Sequence, residues 1–259
     1  MSTRIKVCGL TRVEDARHAA LLGADILGLV LCESPRAVVA ANAARWVESV
    51  RRDYPAVRFA GVFRDPTTTE LREAIEELQL DLVQIHGASP SGMRGARWIR
   101  AVPDTEARAA AARMIDSWRG EERGGTPGSR VPRHRVVDAT RPWALLVDSS
   151  GPRGTGGTGA PCDWSKVAGW RSWGSELPAT RETLAESASP PFRLYLAGGL
   201  GPDNVGDAIR AVRPFGVDAS SRLESAPGIK DRTLVTAFID AVRSADHALR
   251  EAGVEDSRA

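Results

Sequence analysis

The sequence predicts an α/β protein folded as a single-domain (β/α)8 TIM barrel. Eight short apolar runs recur along its 259 residues, most without the alternation of a half-exposed strand, as parallel strands covered on both faces require. Amphipathic stretches of helical period fill most of the gaps. No long break divides the eight units, which favours closure into a barrel over an open doubly wound sheet.

The strand-like runs are RIKVCG (4–9), ILGLVL (26–31), VRFAGVF (57–63), LVQIHG (82–87), RWIRAV (97–102), WALLVDS (143–149), RLYLAGG (193–199) and GVDASS (216–221). Between them, VEDARHAALLG (13–23) carries Asp15 in its first turn and ends on Gly23, as a helix with a C-terminal stop should. The same period continues in 40–52, 68–80, 104–118, 202–212 and 230–245, with short helices expected at 89–95 and 163–170. Two segments between a helix and the next strand read as inserted loops, 119–142, rich in Gly, Pro and Arg, and 171–192, with an extra helix at 179–188. Such loops belong on the amino-terminal face of a barrel, away from catalysis. The barrel is expected over 1–248, followed by a flexible tail at 249–259.

Composition excludes several classes. With 35 basic and 33 acidic residues the net charge is +2, so no nucleic-acid or membrane partner is implied. Three cysteines, Cys8, Cys32 and Cys162, make no disulfide framework and show no zinc spacing. The chain opens without an apolar leader and no run reaches transmembrane length, which predicts a cytoplasmic protein.

In a barrel, chemistry gathers where the strands end. Those ends offer Cys8, Arg36 behind Ser34 and Pro35, His86, Asp148, and two small-residue turns, Gly198-Gly199 and Ser220-Ser221. Glycines let backbone amides approach a ligand, and barrels often hold a phosphate at strands seven and eight. Residues 154–159 match G-x-G-x-x-G, but no strong helix opens there in a first βα unit. A loop over the site fits better than a dinucleotide motif. For Cys8, Asp148 and Arg36 taken singly, a buried small residue, a turn cap and a solvated guanidinium are the plain alternatives.

Taken together, KVCGLTRVEDA (6–16), GADILGLVL (23–31), SPR (34–36), GVF (61–63), VQIHG (83–87), LLVDS (145–149), GGTG (156–159), DW (163–164), LAGGLGPDNV (196–205), VDASS (217–221) and PGIKD (227–231) resemble the phosphoribosylanthranilate isomerase family of tryptophan biosynthesis. They run in family order from residue 5 to about 240. The resemblance implies a (β/α)8 barrel and an Amadori rearrangement of N-(5′-phosphoribosyl)anthranilate to 1-(2-carboxyphenylamino)-1-deoxyribulose 5-phosphate, with no cofactor or metal. It implies Cys8 as general base and Asp148 as general acid. It further implies Arg36 at the substrate carboxylate and Gly198, Gly199, Ser220 and Ser221 at the phosphate. A base requires the thiol pKa to fall toward neutral, and an acid requires the carboxyl pKa to rise.

The chain departs from the pattern at Arg222, where the family usually has glycine: it either adds a phosphate contact or obstructs the amides. The loop between Gly28 and Ser34 is one residue short. His86 stands between a substrate contact and a structural hydrogen bond. Alternative readings are a paralogue acting on another N-phosphoribosyl arylamine and a non-catalytic phosphosugar-binding barrel. The related isomerase of histidine biosynthesis is disfavoured because strand one carries Cys8. The expected partner is a small phosphosugar; monomer and homodimer both stay open.

Overall fold

A computed structural model describes residues 2–88, 96–121, 142–149, 162–173 and 192–253. Eight parallel strands close into a barrel in chain order: β1 (Arg4–Val7), β2 (Ile26–Val30), β3 (Arg58–Arg64), β4 (Leu82–His86), β5 (Arg97–Pro103), β6 (Ala144–Asp148), β7 (Arg193–Leu196) and β8 (Gly216–Ala219). All eight lie at the predicted runs. β1 pairs with both β2 and β8, so no edge is left open.

The helices are α1 (Val13–Leu21), α2 (Ala40–Asp53), α3 (Thr68–Leu78), α4 (Ala107–Glu121), α5 (Val205–Val212) and α6 (Arg232–Glu251). α3 starts with a capping box: Glu70 N–H donates to Thr67 Oγ1 and Thr67 N–H donates to Glu70 Oε2. α6 starts at Asp231, whose carboxylate accepts from Thr233 and Leu234 N–H. α6 also runs beyond the expected boundary at residue 248, because Leu249 still packs against the core. The helix expected at 163–170 is instead two 3-10 turns, Trp164–Lys166 and Trp170–Ser172, interrupted at Gly169 with φ +75°. After β8, β9 (Glu224–Ala226) and β10 (Ile229–Lys230) form a small antiparallel hairpin that the apolar pattern did not reveal. Nearly all of both predicted insertions, the expected helices at 89–95 and 179–188, the glycine-rich 154–159 stretch and residues 254–259 lie outside the described residues. Among the described residues no helix is long and apolar enough to cross a membrane.

Side chains alternate along a strand, and this parity builds the site. Ile5, Val7, Leu27, Leu29, Val83 and Ile85 join the core between strands and helices. Their alternates point inward. Ile26, Ala60, Leu82, Ile99, Leu146 and Tyr195 form an apolar cluster inside the barrel. Further along the same inward faces come Lys6, Gln84 and Asp218, all buried. At the carboxyl ends come Cys8, Val30 and Val62, which pack together.

Candidate active site

A cavity of about 340 Å³ opens at the carboxyl end of the barrel, where Cys8, Arg36, His86, Asp148, Gly198, Gly199, Ser220 and Ser221 all contribute to its wall. Residues more than 200 positions apart meet there because β1 and β8 are neighbours in the closed sheet.

Cys8 lies just past β1 and is 7% exposed. A Cβ on Gly28 would sit 2.7 Å from its Sγ, so β2 leaves room for the thiol by omitting a side chain. Gly28→Ala is expected to push the thiol out of place, destabilising the fold by about 1–3 kcal/mol and lowering turnover more than tenfold. Thermal denaturation and initial rates check both. Beneath Cys8, Lys6 Nζ donates to Asp218 Oδ2 at 2.8 Å in a buried ion pair, and its charge favours ionisation of the Cys8 thiol. Burial works against the Lys6 ammonium, but Asp218 and Cys8 outweigh it and hold its pKa at about 12. Burial pushes the Cys8 thiol up despite Lys6, so the expected fall toward neutral is not met: desolvation of a thiolate on the barrel floor is the larger effect.

Asp148 ends β6. Burial, reinforced by the Asp218 charge, pushes its carboxyl up to about 6, although Ser149 N–H donates to Oδ1 at 2.7 Å. The expected rise is met, and by the expected cause. A Cβ on Gly198 would meet Ser149 N at 2.5 Å and Asp148 Oδ1 at 3.0 Å, so β7 closes over the acid with bare backbone.

Gly198 and Gly199 adopt φ values of +82° and +62°, which L side chains rarely adopt. Asn204 holds the turn: its Nδ2 donates to Gly199 O and its Oδ1 accepts from Gly201 N–H. On the neighbouring turn, Lys230 Nζ donates to Ser220 O and to Glu224 Oε1. Arg222 is not on the cavity wall. Its Nη2 makes a bidentate ion pair with Asp203, and Nη1 donates to Gly199 O. Its φ is not positive, so arginine needs no glycine conformation here. Arg222→Gly is expected to change inorganic phosphate affinity less than about fivefold, the scale of an exposed ion pair, in a direct titration.

Arg36 reaches the cavity from the β2 side. Its Nε donates to Glu224 Oε1 at 2.9 Å and its Nη2 to Oε2 at 2.8 Å, and the Glu224 side chain is only 4% exposed. Burial opposes the Glu224 charge, but hydrogen bonds from Arg36 and Lys230 overcome it and lower the carboxyl pKa. Nη1 of Arg36 has no hydrogen-bond partner among the described residues, so it remains able to donate to a ligand. Gly9 provides the slot, since a Cβ there would meet Arg36 Cδ at 2.7 Å.

His86 is pushed down to about 4 by burial, with Lys6 and Arg64 adding to the shift, and is neutral at physiological pH. Its Nε2 lies 2.9 Å from Gln84 Nε2. The amide is the donor there, so Nε2 accepts and the ring proton sits on Nδ1. Gln84 Oε1 and Asp218 Oδ1 are buried acceptors without a partner among the described residues, and both residues line the cavity. Buried acceptors are rarely left unpaired. Gln84 stands with His86 at the end of the fourth apolar run, whereas Lys6, Asp218, Glu224 and Lys230 are not among the residues the sequence singles out. Lys6 and Asp218 sit two positions before Cys8 and Ser220 on the same strand faces.

The family described as N-(5'phosphoribosyl)anthranilate (PRA) isomerase matches residues 5–117 and 129–241. N-(5'-phosphoribosyl)anthranilate isomerase of Ralstonia nicotianae is 36% identical over 95% of both chains. The phosphoribosyl anthranilate isomerase structure from Thermotoga maritima superposes with a TM-score of 0.65 at 26% identity, covering 93% of this chain and 99% of that one. A structure of such an isomerase in complex with reduced 1-(o-carboxyphenylamino)-1-deoxyribulose 5-phosphate gives 0.64 at the same identity and coverage. On a match spanning most of the chain, with a barrel of the same kind, the chain belongs to the N-(5'-phosphoribosyl)anthranilate isomerase family.

Proposed function

We propose that the protein catalyses the Amadori rearrangement of N-(5′-phosphoribosyl)anthranilate to 1-(2-carboxyphenylamino)-1-deoxyribulose 5-phosphate, a step of tryptophan biosynthesis. The single observation that carries this reading is the pairing of a buried thiol and a buried, proton-retaining carboxyl in one cavity, in a chain of this family.

The reaction needs an acid and a base on the same sugar. The Asp148 carboxyl gives its proton to the ribose ring oxygen; the C1′–O bond breaks and a protonated imine forms between C1′ and the anilino nitrogen. The Cys8 thiolate then takes the C2′ proton, and the electron pair moves into a C1′–C2′ double bond and quenches the imine. The resulting enolamine becomes the ketone when C1′ gains a proton and the 2′-hydroxyl loses its own, which offsets the proton first given to the ring oxygen. The change is redox-neutral overall, since C1′ is reduced as C2′ is oxidised. Lys6 favours the thiolate inside the barrel: when the thiol proton leaves to solvent, the nearby ammonium stabilises the sulfur anion that remains. Neutral His86 adds no competing base of ordinary strength at the C2′ side.

Binding follows from the same walls. The turns at Gly198-Gly199 and Ser220-Ser221 take the phosphate, and Arg36 donates through Nη1 to the ring carboxylate. Gln84 Oε1 and Asp218 Oδ1 accept from polar hydrogens, which a hydroxylated sugar or its anilino N–H supplies. The expression test is complementation. In a strain lacking its own isomerase, this chain is expected to restore growth without added tryptophan. Soluble expression without growth would overturn the reading.

A further inference from the structure

The arginine at the end of β3 stands at the cavity wall with no assigned purpose. Arg64 follows Ala60 and Val62 on the inward face of its strand and contributes to the cavity wall beside His86, its register partner on β4. No carboxylate among the described residues comes within 4 Å of it, although Glu33 lines the same mouth.

The nearest acid in sequence is turned away by construction. Asp65 adopts φ +44°, a left-handed conformation that costs a non-glycine residue about 1–2 kcal/mol. Its Oδ1 accepts Ala88 N–H at 2.6 Å, and its own N–H donates to His86 O at 3.0 Å. A Cβ on Gly87 would collide with Oδ1 at 2.2 Å. The ends of β3 and β4 are thereby stitched together. The stitch uses the Asp65 carboxylate on backbone and leaves the Arg64 guanidinium without a carboxylate partner among the described residues.

Arg36 is in the opposite condition: Glu224 occupies its Nε and Nη2. The mouth therefore holds one arginine whose charge is largely answered by protein and one whose charge is not. The same cavity wall carries the apolar patch of Cys8, Val30 and Val62, with Cys32 packed against it, a surface suited to a flat ring.

We propose that Arg64 is a second cationic contact for the carboxylate on the substrate's aromatic ring, and that it sets the preference for an ortho-carboxylated arylamine over an unsubstituted one. This rests on the proposed function. Arg36 supplies one donor from the β2 side, and Arg64, exposed at the end of β3 and without a carboxylate partner among the described residues, reaches the same anion from the β3 side.

The test is a titration of wild type and Arg64→Gln with two reduced product analogues, one bearing the ring carboxylate and one with a plain phenyl ring. The expected result is an affinity for the carboxylated analogue about tenfold weaker in Arg64→Gln, with the phenyl analogue unchanged within about twofold, and partial recovery in Arg64→Lys. Equal losses for both analogues, or no loss for either, would overturn the role of Arg64. A wild-type protein that binds neither analogue would overturn the proposed function, and this inference with it.

Discussion

Cys8→Ala is expected to lower kcat/KM by about 10²–10⁴, the contribution of a positioned general base, while leaving affinity for the reduced product analogue close to that of wild type. The separation follows from the site. The thiol is small, buried and packed against Val30 and Val62, so its removal leaves the Gly198-Gly199 and Ser220-Ser221 turns, Arg36, Gln84 and Asp218 in place. Gly28 leaves space beside it, and alanine fits without strain. Initial rates and a fluorescence titration on the same preparation check the two halves. Near-normal turnover would remove Cys8 as the base. Lost binding would mean that the thiol shapes the cavity rather than acting in it.

Asp148→Asn is expected to cost a similar factor and to change the pH profile. With the Asp148 carboxyl at about 6 and the Cys8 thiol held above its ordinary value, the reactive form, carboxyl protonated and thiol ionised, is a minority at every pH. Below about 6 the acid is already protonated and further acidification only depletes thiolate, so kcat/KM falls. Above 6 the loss of protonated Asp148 is balanced by the gain of thiolate, and the profile is level until Cys8 itself ionises. The low-pH limb therefore lies near 6 and belongs to Asp148, even though the species being lost is the thiolate. In Asp148→Asn that limb disappears, and residual activity rises with pH toward the Cys8 range. A limb that stays at 6 in the variant would assign it to another group.

Most of the barrel was legible in the sequence because parallel strands buried on both faces write themselves as continuous apolar runs, and the runs at 26–31 and 82–87 fall almost residue for residue on β2 and β4. The site was legible where chemistry sits at strand ends. Cys8, Asp148 and the glycine turn were found that way. What escaped depends on closure. Lys6 and Asp218 read as ordinary strand residues until β1 and β8 are adjacent, and only then does their 2.8 Å pair appear. Glu224 and Lys230 belong to a hairpin too short for periodicity to register, yet they fix Arg36 and the Ser220 turn. Arg222 misled for the opposite reason. A glycine-pattern position suggested strain or phosphate contact, whereas an acid nineteen residues earlier, Asp203, draws the side chain outward.

The most direct measurement is a coupled fluorescence assay on the wild-type protein, in which anthranilate, phosphoribosyl pyrophosphate and the preceding transferase generate the labile substrate in place. The predicted result is rearrangement well above the spontaneous background that collapses in Cys8→Ala and in Asp148→Asn. No turnover by a folded protein that still binds the reduced product analogue would contradict it and would leave a barrel that recognises the phosphosugar without isomerising it.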